Sequence, residues 1–237
     1  MKIKIIIALF ILVAVGAFVL QKQGTKTPLL TTNKVVDSKS EDVAAIRAFM
    51  AEPNLQLAFV NTSLPQPYFM VGKVTKQANG ENIEKVDDWV RQVNVYDQKG
   101  VLNGQCATYE YHVDTKSHTV TAVAIRGLRP DEINALKNDG ITCVSDSGKL
   151  PKITKAEAEA IAKDYLKRAV PDFDKIWSQF TYSLQSNGES HQWLWEDKDY
   201  KLPEGLGGRP HSYPTIRITV DGNKQIQYWN TVPLFKN

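Results

Sequence analysis

Apolar residues recur at helical spacing from Ala158 to Ala169, where Ala158, Ile161, Ala162, Tyr165, Leu166 and Ala169 form one stripe. Thr154 and Glu157 make a T-x-x-E capping box. The threonine hydroxyl takes the Glu157 amide, the carboxylate reaches back to the Thr154 amide, and Ile153 staples onto Ala158. Lys167 and Arg168 suit the helix C-terminus, and Pro171 stops it. Ser38 and Glu41 form a second capping box before Val43, Ile46, Phe49 and Met50, which predict a short helix ending at Pro53. A third helix opens at Arg129-Pro130-Asp131-Glu132, with proline in the first turn and acids at the positive end of the dipole, and closes at Asp139-Gly140.

Elsewhere the period is two. Residues 69–74, 89–95, 107–113 and 118–125 alternate as half-buried strands, although Ile83, Val86, Trp89 and Val90 equally fit a helix leading into the second. Asn79-Gly80, Lys99-Gly100 and the segment 114–117 supply turns. After the capped helix, Phe180, Tyr182 and Leu184 alternate up to Asn187-Gly188. A return strand follows with His191, Trp193 and Trp195 on one face. Ile216, Ile218 and Val220, the Asp221-Gly222 turn, then Ile226 and Tyr228 predict a second hairpin. Between the hairpins, residues 197–213 carry three glycines and two prolines and predict irregular chain. The expected fold is α+β, with short helices packed on antiparallel sheet. A loose repetition of helix then strands is visible from Ser40 onward, without residue-level identity.

The first twenty residues add a membrane element to this expectation. Met1-Lys2-Ile3-Lys4 leads into residues 5–20, which hold no charged side chain and just suffice for a bilayer core of roughly 30 Å. Phe18, Val19 and Leu20 continue past a small-residue cleavage pattern at Val15-Gly16-Ala17, which favours an uncleaved signal anchor over a cleaved peptide. The expected organisation is a transmembrane helix over 1–20, a polar tether over 21–39, an α+β region over 40–148 and a helix-plus-hairpins domain over 149–237, with 145–149 as linker. Such a chain is single-pass in the cell membrane, with its bulk extracytoplasmic. An oxidising compartment suits a disulfide between Cys106 and Cys143, and closing that loop of 37 residues stabilises a fold by about 4 kcal/mol. Two buried thiols are the alternative in a reducing host.

Composition narrows the chemistry. The net charge of +3 is spread along the chain without a Lys/Arg run, so no nucleic-acid footprint is present. His112, His118, His191 and His211 make no H-E-x-x-H, and the cysteines make no C-x-x-C, so no metal or cofactor site is signalled. No G-x-S-x-G occurs. Residues 205–208 lack the strand-turn-helix context of a phosphate cradle. The acidic pairs Glu157/Glu159, Asp87/Asp88 and Asp131/Glu132 sit at helix starts or strand boundaries, where solvation or the dipole accounts for them.

The run ITKAEAEAIAKDYLKRA, the strands bearing Trp193 and Trp195, and IRITVDGNKQIQYW together resemble a PepSY-like domain over Ile153 to Trp229. Ile153, Thr154, Glu157, Ala158, Ile161 and Ala162 carry the helix pattern, and Val220-Asp221-Gly222 the turn. The resemblance implies a bacterial envelope protein with an inhibitory or protein-binding role and supplies no catalytic residues. The expected function is therefore a non-enzymatic, membrane-tethered binding or regulatory module with an envelope protein or peptide as partner. The alternatives are an extracytoplasmic hydrolase using His191 or His211 with a carboxylate, and a structural spacer. The expected partner surface comprises Arg209, His211 and Tyr213 in the Gly/Pro-rich loop, with Trp193 and Trp195, beside a strand edge at 215–220 open to peptide addition. The competing reading has the tryptophans covering the helix stripe.

Overall fold

The computed structural model describes residues 40–235, apart from 66–69, 78–79, 86–90, 99–104, 144–149, 171–172 and 210. Helix α1 (Ser40–Met50) is followed by strands β1 (Ala58–Ser63), β2 (Met70–Gln77), β3 (Gly80–Lys85), β4 (Val93–Gln98), β5 (Ala107–Asp114) and β6 (Val120–Gly127). Then come α2 (Pro130–Asn138), α3 (Lys155–Ala169), α4 (Phe173–Gln179), β7 (Thr181–Ser186), β8 (Ser190–Glu196), β9 (Leu206–Arg209), β10 (Thr215–Asp221), β11 (Ile226–Asn230) and α5 (Val232–Phe235).

Eight strands form one sheet in the order β1-β4-β5-β6-β11-β10-β8-β7. The repetition hinted at by the sequence is a property of this order. α1 precedes the strands β1, β4, β5 and β6, and α3 precedes β7, β8, β10 and β11. The two sets run outward in mirror order from a central antiparallel seam, where Tyr228 faces Val123 and Trp229 faces Ala122. β2, β3 and β9 leave the main sheet and form a second one, β3-β2-β9. The eight-stranded sheet thus runs across residue 148, where the sequence suggested a domain boundary.

The core lies between one sheet face and the helices α1 and α3. The capping box forms as expected: the Thr154 hydroxyl accepts from the Glu157 amide at 3.3 Å, and the Thr154 amide donates to the Glu157 carboxylate at 3.2 Å. Ala158, Ala162, Leu166 and Ala169 are buried against Ile216, Ile218, Val220, Trp193 and Trp195. Small residues on the helix let its axis approach the sheet, and the two tryptophans fill the remaining space. Phe49 of α1 packs on Tyr165 of α3 and Tyr228 of β11, with ring centroids 5.3 and 5.2 Å apart, and Arg168 Nε donates to the Phe49 carbonyl at 2.7 Å. That bond satisfies one of the carbonyls that the C-terminus of α1 leaves without an intrahelical partner.

The turn after β10 departs from a two-residue hairpin. Val220 pairs with Ile226, and the Asp221 carboxylate accepts the amides of Asn223 and Gln225, both at 2.9 Å, while Lys224 takes the left-handed region at φ 60°. Gly222 is required for closeness: a Cβ there would lie 1.7 Å from the Pro151 carbonyl oxygen. Residues 206–209, expected to be irregular, form β9, because their backbone pairs with Met70–Lys73 of β2, a partner that local composition does not reveal. Ile83 lies in β3 and not in a helix. The segments 145–149 and 99–100, and Ser38 of the expected cap, lie outside the described residues.

No helix among the described residues is long and apolar enough to cross a membrane. The longest, α3, has 15 residues and carries Glu157, Glu159, Lys163, Asp164, Lys167 and Arg168, whereas a span needs about 20 mostly apolar ones. The expectation of an α+β fold behind an N-terminal transmembrane helix is corrected to an α+β fold of helices on antiparallel sheet. The segment 5–20 and the tether over 21–39 lie outside the described residues. The single-pass, extracytoplasmic placement and the membrane as partner are accordingly withdrawn from the functional reading.

The sheet face opposite α1 and α3 is covered at one end. Arg126 of β6 binds Asp97 of β4 and Glu132 of α2, each at 2.9 Å, and a disulfide joins Cys106 to Cys143 beyond α2. A small second core of Val71, Leu234 and Phe235, with Tyr200, Leu202 and Leu206 against it, ties β2 to α5. The hydrogen bonds from Arg126 hold the Glu132 carboxyl down at about 2 against an ordinary 4.5. A depressed folded-state value means stability that is present above pH 4.5 and is lost as pH falls toward 2. Glu132→Gln is expected to cost about 1 kcal/mol at pH 7, after allowance for solvent screening. The same variant should lose less stability than wild type between pH 4.5 and 2, as read by urea unfolding at both ends of that window.

Candidate functional site

Alternation along the central strands sends one set of side chains to the core and the other to the opposite face. On that opposite face His112 of β5 stands across from Ala122 of β6, Ala122 from Trp229 of β11, and Trp229 from Arg217 of β10. One row further along, Glu110 stands across from Ala124, with Gln227 on the far side of the seam. Two alanines therefore floor a trough whose banks carry larger polar and aromatic groups. The result is a cleft of about 220 Å³, lined by Glu110, His112, Ala122, Ala124, Arg217, Gln227 and Trp229. It straddles the seam, so each bank comes from a different half of the chain.

The banks differ in charge. Glu110 Oε1 lies 2.8 Å from His112 Nε2, an ion pair or a neutral hydrogen bond according to the ring's protonation. His112 is buried, and its Nδ1 has no hydrogen-bond partner among the described residues. Opposite, the Arg217 guanidinium sits 5.3 Å from the Trp229 ring centre. The residue is exposed as a whole, yet its guanidinium is partly desolvated, which lowers its pKa from the ordinary arginine value. Among the arginine side chains described, the others all have an oxygen partner. Arg47 donates to Leu55, Arg91 to Pro233, Arg126 and Arg129 to Glu132, and Arg168 to Phe49. Arg217 has none.

The residues singled out in the sequence fall elsewhere. Trp193 and Trp195 are each 1% exposed and belong to the core, as the competing reading had it. His211 is exposed and stacks on Tyr213 at 5.2 Å, and the Tyr213 hydroxyl donates to Glu196 at 2.9 Å. Arg209 lies in β9, opposite Met70. The loop pair thus stands apart from the two tryptophans. β10 pairs with β8 on one side and β11 on the other, so a peptide cannot add to 215–220; the sheet ends at β1 and β7. His191 Nε2 bonds the Ile153 carbonyl at 3.0 Å, and among the described residues neither it nor His211 meets a carboxylate.

A second histidine–carboxylate cluster lies on the helix side. Asp42 of α1 is fully buried; its Oδ2 accepts from Asn94 Nδ2 at 2.7 Å and the Tyr96 hydroxyl at 2.8 Å, and its Oδ1 lies 2.6 Å from His118 Nδ1. His118 Nε2 faces Glu41 at 2.9 Å, and the residue adopts φ 50°, a backbone region costly for a side chain with a Cβ. Both ring nitrogens are taken up by carboxylates, leaving none to move a proton to a substrate. Burial, then the bond to Asp42, raises the Tyr96 pKa. This cluster anchors the start of α1 to the sheet. No group of three or more His, Cys, Asp or Glu able to hold a metal occurs among the described residues.

No family model matches the chain, and no curated protein or solved structure matches it. The resemblance to PepSY-like domains over Ile153 to Trp229 is corrected on that finding and on the fold: the last strand of that stretch pairs with β6, so it is half of a larger sheet and does not close on itself. The bacterial envelope partner implied by the resemblance is dropped with it.

Sequence reasoning noted His112 and Trp229 and passed over Arg217, Gln227, Glu110, Ala122 and Ala124. The available signal was I-R-I-T-V and A-V-A: one cation on the polar face of an otherwise apolar strand, and two small residues on that face of another. Their juxtaposition follows only from the β6–β11 pairing. Removing the buried carboxylate takes the acceptor from Asn94 and the Tyr96 hydroxyl and the partner from His118 Nδ1, so Asp42→Ala is expected to cost about 3 kcal/mol in urea unfolding. His118→Ala should cost about 1 kcal/mol, because the histidine is 32% exposed.

Proposed function

We propose that this protein is a non-catalytic binding module that receives one side chain of a partner polypeptide in the cleft over Ala122 and Ala124. The observation that carries the reading is the cleft's position and size together. It lies on the seam between the two halves of the sheet, where groups from four strands converge, and at about 220 Å³ it is smaller than the roughly 300–1,000 Å³ of pockets that enclose whole small molecules. A group of side-chain size fits that volume, and the open surrounding face leaves room for the chain that bears it. The rigid strand backbone under every lining residue favours recognition without rearrangement.

A catalytic reading has less to stand on. Glu110 orients the His112 ring, but the second ring nitrogen is buried, and no serine, threonine or cysteine among the described residues is hydrogen-bonded to it. Nucleophilic catalysis needs that contact within about 3 Å. Filling the trough tests the binding reading. Heptapeptides selected on the full chain from a random display library are expected to lose at least about tenfold in affinity for Ala124→Trp, a change of about 1.4 kcal/mol. Because Ala124 is exposed, the melting temperature should stay unchanged. Failure to select any peptide, or selected peptides that bind both proteins equally, would contradict the proposal.

A further inference from the structure

We infer that the group recognised in the cleft is a carboxylate, held by the Arg217 guanidinium; this rests on the reading of the cleft as a binding site. Arg217 is the one described arginine side chain with no oxygen partner, although its neighbours on the sheet include residues with polar side chains. Its position is fixed twice. β10 is an interior strand, bonded on both sides, and the guanidinium lies against the Trp229 ring at 5.3 Å. The ring attracts the cation without accepting a conventional hydrogen bond, so the planar fork of five N–H donors has no oxygen acceptor among the described residues. Two parallel N–H···O bonds from such a fork match the two oxygens of a carboxylate.

The opposite bank chooses among anions. Glu110 stands on β5, three strands from β10, hence about 14 Å away backbone to backbone, and its side chain lines the same cleft. A second negative charge on the ligand would meet that carboxylate, whereas a monoanion bound at Arg217 need not. Phosphate, a substantial fraction of which is dianionic at neutral pH, is disfavoured on this ground. Gln227, exposed between the two banks, has no hydrogen-bond partner of its own among the described residues and offers an amide to the backbone or stem beside the carboxylate.

The chemistry is shared by an acidic side chain within a peptide and by a free organic acid, and two probes separate them. The full chain, labelled with ¹⁵N, is titrated with acetyl-Ala-Glu-Ala-amide and with benzoate, and the indole N–H of Trp229, assigned by its loss in Trp229→Phe, reports binding. Saturable shifts with either acid, and none with acetyl-Ala-Gln-Ala-amide or benzamide, are expected. The peptide responding more strongly assigns the carboxylate to a polypeptide, and benzoate responding more strongly assigns it to a small molecule. Arg217→Gln should weaken binding about ten- to a hundredfold at an unchanged melting temperature, with Arg217→Lys between the two, since lysine keeps the charge and loses the fork. Equal responses to acid and amide, equal affinity in Arg217→Gln, or tighter binding of inorganic phosphate would overturn the inference. If selected peptides still discriminate against Ala124→Trp while Arg217→Gln has no effect, the cleft stands and only the carboxylate falls. If neither substitution matters, both fall.

Discussion

Everything in this fold depends on the pairing of β6 with β11. Each half of the chain supplies a helix and four strands of the main sheet, and the only antiparallel neighbours that bridge the halves within that sheet are these two. A strand's faces alternate, so the register of this pairing decides which side chains enter the core along the whole centre of the molecule. With Tyr228 opposite Val123, both face the helices; a slip by one residue would expose Ile226 and Tyr228 and bury Gln227 and Trp229. The helices enforce the register from above. Phe49, carried by the helix of the first half, packs on Tyr228 of the second half and on Tyr165, while Arg168 bonds the Phe49 carbonyl. Burying those three rings contributes several kcal/mol at ordinary transfer values.

The same register creates the cleft. Once Val123 and Tyr228 point into the core, Ala122, Ala124, Gln227 and Trp229 must point out on the other face, and Arg217 and His112 follow from the neighbouring pairs. The floor is low because both β6 positions are alanine, and the walls are high because every neighbour is larger. Structure and site therefore share one cause. The outer face is otherwise closed toward β4, where Asp97 and Glu132 both pair with Arg126 and α2 is stapled by the Cys106–Cys143 bond.

How much of this was legible in the sequence follows from how local each determinant is. The α3 helix, its capping box and its stripe were readable residue by residue, as were the Asn187-Gly188 turn, with Gly188 at φ 81°, and the Asp114 turn, where the carboxylate accepts the Ser117 amide. The disulfide pairing followed from there being two cysteines. β9 was missed because glycine-rich chain has no period, and its strand character comes from β2, some 130 residues away by number. β1 was missed because a half-polar edge strand such as Ala58–Ser63 carries little burial signal. The aromatic cluster misled in the opposite direction. Trp193 and Trp195 alternate on one face of β8, which fits both a binding surface and a core; only the position of α3 decides for the core. Arg217 could be seen to sit on a polar face, but its lack of an oxygen partner among the described residues depends on the neighbouring strands, which the sequence does not place.

If the seam makes one cooperative unit of both halves, native-state amide hydrogen exchange with added denaturant will show it. Amides in β5, β6, β10 and β11, among them those of Tyr111, Val123, Ile218 and Tyr228, are expected to exchange through a single global opening with a common free energy and a common denaturant dependence. If β10 and β11 opened at distinctly lower free energy while β5 and β6 stayed protected, or the reverse, the halves would be separable domains and the seam would not be what organises the fold.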